Sequence, residues 1–171
     1  MLQPDAHMTT PIRVLRTLSF SLILIFTPLL KNSGLGISAN QIGHNYRVFA
    51  MRGETKKDSI VCFNPEIKDF SPEMNTMEEG CLSLPDVFAR VVRPAHVAIS
   101  YLDEDGKEEG QLASGITARV FQHELDHLDG ILFVDRLGEF AKQRAFEKAI
   151  KIRKFRARGK PKYQHQTKLA L

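Results

Sequence analysis

The sequence predicts an α+β fold in which antiparallel β-sheets pack around a central helix. Between residues 46 and 113, short runs of apolar and β-branched residues alternate with polar turns, a pattern typical of antiparallel strands. After Gly115 the apolar period becomes that of a helix, and a basic helical stretch follows it. Strands first and helices last favour the α+β class.

Length and composition favour one domain covering residues 1–171, since domains commonly hold about 100–150 residues. A hydrophobic content of 43% with 26% charged residues argues against disorder as the dominant state. Two cysteines, Cys62 and Cys81, are too few for a disulfide framework. They indicate a reducing compartment, the cytoplasm or an organellar matrix.

An apolar run lies within the N-terminal segment 1–33. Residues 18–30 read LSFSLILIFTPLL and follow two arginines, an outline that a signal peptide shares. However, a bilayer-spanning helix needs about 20 residues, Pro28 interrupts the run, and no small-residue cleavage pattern follows. We predict a buried helix of the mature protein, with a targeting or anchoring segment as the alternative.

The strands are predicted in chain order from their apolar and aromatic content. Between the first two, RGETKKD is a polar hairpin loop, and between the last two, DEDG is a turn. The predicted strands are YRVFAM (46–51), SIVCFN (59–64), FARVVR (88–93), HVAISYLD (96–103) and KEEGQLA (107–113).

The helix after Gly115 has apolar residues on two flanks, so it should be buried. Gly130 is placed to end it in a left-handed conformation. One strip contains Ile116, Val120, His123 and His127, and the other contains Phe121, Leu125 and Leu128.

A basic C-terminal helix and tail, residues 137–171, completes the predicted fold. The last 31 residues hold eleven Lys or Arg and a single acid, Glu147, for a net charge of +10, which leaves −6 on the rest of the chain. A basic tail on a mildly acidic body indicates contact with a polyanion. A solvated helix face is the alternative.

The sequence HELDH at 123–127 predicts a metal site. His123 and His127 lie one helical turn apart on one face and can bind the same ion. Glu124 is turned about 100° from His123, so it can reach a water on that ion without being a ligand. Two core histidines are the alternative, but burying a carboxylate is costly unless it is paired or functional.

A hydrolytic site needs a third protein ligand and an open position. The metzincin pattern fails, because Gly130 matches but Phe133 stands where its third histidine should be. The gluzincin pattern allows Glu147, although an intrahelical pair with Lys151 also explains that residue. Cys81, in MEEGCLSLP, is the other candidate, or else a small buried hydrophobe.

Three segments together resemble the motifs of peptide deformylases. GLGISANQIG (34–43) resembles G-x-G-Φ-A-A-x-Q, where Φ is apolar, EGCLSLP (79–85) resembles E-G-C-L-S, and QHELDHLDG (122–130) resembles Q-H-E-x-D-H. The resemblance spans about residues 34–140, with three motifs in the family's order.

The resemblance implies that Cys81, His123 and His127 bind one divalent metal, with water in the fourth position. Fe²⁺ is the expected ion, and Zn²⁺, Ni²⁺ or Co²⁺ can substitute. The metal-bound water would attack the formyl carbon of formyl-methionine at the start of a nascent polypeptide, with Glu124 as general base and acid, releasing formate. Gln41 and the backbone N–H of Leu82 would stabilise the oxyanion; without the motif, Gln41 is an ordinary surface amide.

The resemblance also implies how the peptide is held. Gly36 and Gly80 would let its backbone approach and pair as an added strand, or they are turn glycines. Glu79 and Arg93 would form a pair that positions the strand of Cys81, or they face solvent. An apolar pocket for the methionine side chain would contain Ile37, Met77, Ile116 and Val120, each of which could equally be core.

The sequence departs from the family pattern at two places near the site. Ser38 stands where the first motif usually has alanine, an exchange expected to be harmless, and Arg119 stands where the family is usually apolar, without a firm account. The segment before Gly34 is also shorter and more apolar than the family's first helix. The expected partners are the nascent formyl-methionyl peptide and, through the basic helix, ribosomal RNA, with the protein a monomer.

Three functional classes remain, of which the deformylase is favoured. A gluzincin-like endopeptidase would depend on Glu147 and cleave unformylated peptides. A non-catalytic RNA-binding protein with a structural metal would have four protein ligands.

Overall fold

A computed structural model describes residues 34–53 and 59–158, together with Arg16, Thr17, Phe20 and Leu24. Short 3₁₀ turns occupy Ala39–Ile42 and Phe133–Arg136. The longer elements are β1 (Gly36–Ser38), β2 (Val48–Arg52), β3 (Ser59–Phe70), β4 (Met74–Cys81), β5 (Leu84–Pro94), β6 (His96–Leu102), β7 (Glu108–Ser114), α1 (Gly115–Leu128) and α2 (Glu139–Ala157).

The strands form two antiparallel sheets. β1, β2, β3, β6 and β7 lie side by side in that order, and β4 pairs with β5 in a separate hairpin. Along β2 and β3, alternate side chains enter different cores: Phe49 and Cys62 face α1, whereas Val48 and Val61 lie in a cluster on the other face. Both faces of the five-stranded sheet are therefore apolar at its centre.

The helix α1 lies between the two sheets. Val120 and Phe121 pack against the five-stranded sheet, where the rings of Phe121 and Phe49 meet edge to face at 5.1 Å between centroids. The opposite side is hydrogen-bonded to the β4–β5 hairpin; for example, the Gln122 side-chain amide donates to the carbonyl oxygen of Pro94 at 3.1 Å. α1 is therefore buried from two sides as predicted, but the side that faces the hairpin is polar rather than apolar, with Arg119 and Gln122 buried there.

The helix α2 packs on the hairpin. Its buried residues Ala145 and Ala149 contact the cluster formed by Val87, Val91 and Phe133. Because alanine is short, the helix backbone lies close to β5. The first part of the basic segment is thus built into the core, while its charged side chains remain exposed.

The α+β class is confirmed, and five predicted strands correspond to β2, β3, β5, β6 and β7. The two predicted helices correspond to α1 and α2. Gly130 has a φ of 76° and donates its N–H to the His127 carbonyl oxygen at 3.0 Å, so it ends α1 as predicted. β1 and β4 were not among the strands predicted from apolar patterns, although the resemblance implied a strand at Cys81: β1 has three residues including a glycine, and β4 carries the charged Glu79 at a buried position.

The predicted helix over residues 18–30 lies mostly outside the described residues. Phe20 and Leu24 are helical, but their side chains are 69% and 63% exposed, so the predicted burial does not hold at these two positions. Among the described residues, no helix has the length and apolar content needed to cross a membrane.

Candidate metal centre and active site

Three potential ligands meet between α1 and the end of β4. His123 and His127 project from one face of α1 with ring centroids 4.8 Å apart, as their spacing of four predicts. Cys81 ends β4, after a register irregularity in the hairpin, and its Sγ lies 3.1 Å from Nε2 of His127. One ligand atom from each residue lies within 4.8 Å of the others, and all three side chains are buried.

The donor set fits a divalent transition metal. Nε2 of His123 is buried and has no hydrogen-bond partner in the described part of the chain, whereas Nδ1 lies 2.9 Å from Oε2 of Glu79. A carboxylate on one imidazole nitrogen leaves the other oriented for metal binding, which is common for metal-ligating histidines. One thiolate and two imidazoles suit zinc or ferrous iron.

The ligands influence each other's ionisation. Burial raises the pKa of Cys81, but the neighbouring imidazoles of His123 and His127 outweigh burial and lower it to about 5. Burial lowers the pKa of His123, but Cys81 and Glu79 outweigh burial and raise it to about 9. The sulfur is therefore ready to bind a cation at neutral pH, because the thiolate is the metal-binding form.

Glu79 is the centre of a buried ion-pair network behind His123. Its fully buried carboxylate accepts hydrogen bonds from Nε and Nη2 of Arg93 at 2.7 and 3.0 Å. Arg93 also donates to Asp126 on α1 at 2.7 Å. Burial raises the pKa of Glu79, but His123 and Arg93 outweigh it and lower the pKa to about 2. The predicted Glu79–Arg93 contact is present.

Arg119 is the second guanidinium on Glu79. Its side chain is 1% exposed, and Nη1 donates to Oε1 of Glu79 at 2.7 Å and to the Val91 carbonyl oxygen at 3.0 Å. Nη2 donates to both the side-chain and backbone oxygens of Asn75. Arg119 thus joins α1 to both strands of the hairpin, which gives this departure from the family pattern a structural role.

Glu124 has a fully enclosed carboxylate beside the ligand cluster. The Ser38 hydroxyl lies 2.5 Å from Oε2, and a Cβ added at Gly36 would overlap the carboxylate from the other side. Burial raises the pKa of Glu124. Such a carboxyl group, held next to a candidate metal site, can act as a general base.

Gln41 places its side-chain amide close to Cys81. Its Oε1 accepts the backbone N–H of Ser38 at 2.8 Å, so the NH₂ group points the other way. Nε2 lies 2.9 Å from Oγ of Ser83 and 3.7 Å from Sγ of Cys81. Leu82, between these two residues, is partly exposed. The amide can therefore donate to a group bound at the cluster.

The residues predicted to bind substrate are not all brought together. Ile116 is partly exposed at the start of α1, and Met77 is half-buried on β4. Ile37 lies in the cluster on the far face of the five-stranded sheet, and Val120 lies in the core between α1 and that sheet. A Cβ at Gly80 would overlap the Phe88 ring, so the absence of a side chain there serves internal packing.

The protease alternatives receive no support from the site. Phe133 is buried and stacks on the His123 ring at 6.0 Å between centroids. Glu147 is exposed on α2, where it accepts a hydrogen bond from Gln143 at 3.0 Å, and it is not part of the ligand cluster. Asn40, which donates to the carbonyl oxygen of His127, was not predicted; its place inside the first motif was the available signal.

Comparisons with known proteins show which family the chain resembles. Residues 7–143 match the model of the family described as polypeptide deformylase. The chain is 45% identical over 120 residues to a peptide deformylase of Treponema pallidum (strain Nichols), covering 70% of this chain and 73% of that protein. It is 40% identical over 157 residues to a peptide deformylase of Rhodopseudomonas palustris (strain TIE-1), covering 87% and 86%.

Solved structures give the same result. A peptide deformylase from Legionella pneumophila superimposes with a TM-score of 0.74 and 33% identity, covering 92% of this chain and 90% of that one. A peptide deformylase from Synechococcus elongatus in complex with actinonin has a TM-score of 0.73 and 34% identity, covering 86% and 79%.

Proposed function

This chain belongs to the polypeptide deformylase family, and on that premise we propose that it is a metal-dependent hydrolase that removes the N-formyl group from the initiator methionine of nascent polypeptides and releases formate. The observation that carries the proposal is the buried cluster of Cys81, His123 and His127 with the carboxylate of Glu124 enclosed beside it.

In this proposal Cys81, His123 and His127 hold one divalent metal, with Fe²⁺ expected and Zn²⁺, Ni²⁺ or Co²⁺ able to substitute. When bound, the ion supplies a Lewis acid for the formyl oxygen and lowers the pKa of a water molecule. Glu79 keeps His123 in the orientation that presents Nε2 to the centre. Arg93 and Arg119 hold Glu79 in turn.

Glu124 performs the proton transfers. It takes a proton from the attacking water and passes it to the nitrogen of the leaving peptide amine. Its raised pKa supports this role, because a base that must keep a proton briefly works best when its pKa is nearer to the working pH than that of an exposed carboxylate.

Gln41 and the backbone N–H of Leu82 stabilise the negative charge on the formyl oxygen. The contact of Gln41 Oε1 with the Ser38 N–H supports the role of Gln41, since it orients Nε2 before substrate binds. Preorganised donors of this kind are commonly worth about 2.7–4 kcal/mol each.

The peptide is proposed to pair with β1, which ends the five-stranded sheet among the described strands. Gly36 and Gly80 are the candidate positions for its close approach; at both, a side chain would point into the protein, towards Glu124 and Phe88, so the approach is to the strand backbone itself. For the methionine side chain, Ile116 and Met77 are our principal candidates because both retain exposed surface.

The central experiment measures formate release from formyl-Met-Ala-Ser under anaerobic conditions with Fe²⁺. We expect activity in the wild-type protein and its loss in Glu124→Ala. Glu147→Ala is the matched control, because it removes an exposed carboxylate that the endopeptidase alternative requires. Activity that survives Glu124→Ala would contradict the mechanism. Cleavage of unformylated peptides that depends on Glu147 would favour the endopeptidase, and a metal without hydrolysis would favour a structural site.

The basic helix α2 is proposed to bind ribosomal RNA, so that the enzyme meets peptides as they emerge. A groove of about 620 Å³ between α2 and the hairpin is lined by Arg144, Lys148 and Lys151, and the Arg144 guanidinium lies 5.6 Å from the Phe140 ring centroid. Cationic and aromatic groups together suit an RNA surface. We further propose that the protein is a monomer. We place it in the cytoplasm or an organellar matrix, a reducing compartment that the two free cysteines support.

Charge reversal at Arg144, Lys148 and Lys151 tests this partner without removing the buried alanines of α2. In this variant, binding to ribosomes measured by co-sedimentation should become weaker and less dependent on salt. Formate release from small peptides should stay unchanged. Lys107→Glu, on the turn before β7, serves as the control. Equal ribosome binding by the triple variant would rule out docking through α2.

A further inference from the structure

Ser38 contacts the carboxylate that the proposed mechanism depends on. Its side chain is fully buried at the end of β1. Oγ lies 2.5 Å from Oε2 of Glu124 and 3.0 Å from the backbone carbonyl oxygen of the same residue. These contacts link positions 86 residues apart in the chain, so an exchange that looked harmless in sequence introduces a polar contact inside the site.

The hydroxyl completes a close-fitting site for the carboxylate. Gly36, two residues earlier on the same face of β1, leaves room for Oε1, because a Cβ there would overlap it. β1 is itself held by antiparallel pairing, with Ser38 opposite Phe49 of β2. Oε1 of Glu124 therefore lies against Gly36, and Oε2 contacts the Ser38 hydroxyl, so both oxygens are held by β1.

The same residue also orients Gln41. The backbone N–H of Ser38 donates to Oε1 of Gln41 at 2.8 Å, which turns Nε2 towards the side of Cys81. Ser38 thus holds the proposed base through its side chain and the proposed oxyanion donor through its backbone. Substitution by alanine removes only the first of these contacts.

Two acceptors within reach of one hydroxyl give serine a function that alanine lacks. A hydroxyl donates one proton and accepts others. The Ser38 hydroxyl can donate to Oε2 of Glu124 and also lies within hydrogen-bond distance of the Glu124 carbonyl oxygen. The two contacts fix the hydroxyl against the helix and restrain the orientation of the carboxylate.

We propose that Ser38 is a positioning residue for Glu124, keeping its carboxylate aligned for proton transfer in this chain, where the family's first motif usually has alanine. The proposal rests on the proposed function. It predicts an effect on turnover with little effect on substrate binding or on metal affinity, since Ser38 contacts none of the three ligand side chains in the described hydrogen bonds.

The test compares Ser38→Ala, Ser38→Thr and the control Ser100→Ala, which removes a serine hydroxyl bonded to the exposed Glu108 on the far side of the sheet. We expect Ser38→Ala to lower kcat for formyl-Met-Ala-Ser by ~10- to 100-fold, the loss typical for a hydrogen bond to a charged group. KM, the dissociation constant for Co²⁺ and the visible spectrum of the Co²⁺ protein should remain unchanged. Ser38→Thr should restore part of kcat, and Ser100→Ala should be silent.

A second arm separates positioning from a general loss of structure. In a Glu124→Ala background, adding Ser38→Ala should not reduce the residual rate further, because the group it positions is absent. If the wild type is active and Ser38→Ala has the same kcat, this inference is overturned while the proposed function stands. The inference is also overturned if the loss is equal in the Glu124→Ala background, or if Co²⁺ affinity falls with kcat. A wild type that releases no formate would overturn the proposed function together with the inference.

Discussion

Replacing Arg119 by methionine tests the ion-pair network behind His123. Methionine retains much of the apolar stem but removes the guanidinium, whose Nη1 donates to Glu79 at 2.7 Å and to the Val91 carbonyl oxygen at 3.0 Å. Both ends of the Arg119–Glu79 pair are buried, with exposures of 1% and 0%. The buried oxygens left behind lose donors that water cannot easily replace.

Removing one partner of a buried ion pair typically costs about 3–5 kcal/mol. Arg93 still neutralises Glu79 in this variant, so we expect a loss near the lower end, about 3 kcal/mol. A domain of ordinary stability, about 5–15 kcal/mol, remains folded after such a loss. The matched control is Arg47→Met, whose pair with Asp129 spans 2.8 Å but is 49% and 45% exposed; it should cost about 0–1 kcal/mol.

The free energy of unfolding is best measured by urea titration followed by far-UV circular dichroism, because the chain contains no tryptophan. Arg119→Met should shift the midpoint strongly downward at an unchanged slope, and Arg47→Met should hardly move it. Equal losses in the two variants would refute the argument, since they would mean that the buried network contributes no more than a surface pair.

Three further predictions concern the site. Gly36→Ala should lower kcat for formate release at least ~10-fold without changing Co²⁺ affinity, because the added methyl overlaps the Glu124 carboxylate; an unchanged kcat would contradict that contact. With the pKa of Cys81 about 5 and that of His123 about 9, metal binding at pH 7 should displace about one proton, from His123. Titration calorimetry in buffers of different ionisation enthalpy measures the number of protons released. The affinity for the metal should rise as pH increases towards 9. Folding lowers the pKa of Glu79 from 4.5 to about 2, which corresponds to ~3 kcal/mol in the free energy of unfolding. This contribution is complete above about pH 4.5 and is lost as pH falls towards 2. Urea titrations across this range should show a shallower pH dependence in Glu79→Gln.

The strands and helices were mostly predictable because their signals are local. An apolar run bounded by turn residues, or a repeat of three and four, is visible in a short window. The apolar pattern did not predict β4, because Glu79 and Cys81 occupy its last buried positions. In a sequence, a buried carboxylate looks like a surface residue until its cationic partners are known. The pattern did not predict β1, because a strand of three residues is too short to show a periodicity.

The site shows the same division. His123, Glu124 and His127 follow from helix geometry, since residues four apart on a helix share a face whatever surrounds them. Cys81 did not follow from geometry. It stood beside Glu147 as an open candidate until the resemblance to a family favoured it, and the structure then placed its sulfur 3.1 Å from Nε2 of His127.

The sequence by itself determined most of the helical and extended segments, and it placed two candidate ligands and a candidate base on one buried helix. Only the tertiary structure decided what those groups contact. Ser38 and Glu124 are 86 positions apart, and Arg119 and Glu79 are 40 apart. The cost of burying a charge depends on partners that the fold brings together through space, and no local pattern records them. For that reason a serine expected to be harmless lies against the proposed base, and an arginine that the sequence left unexplained supports the carboxylate that contacts His123.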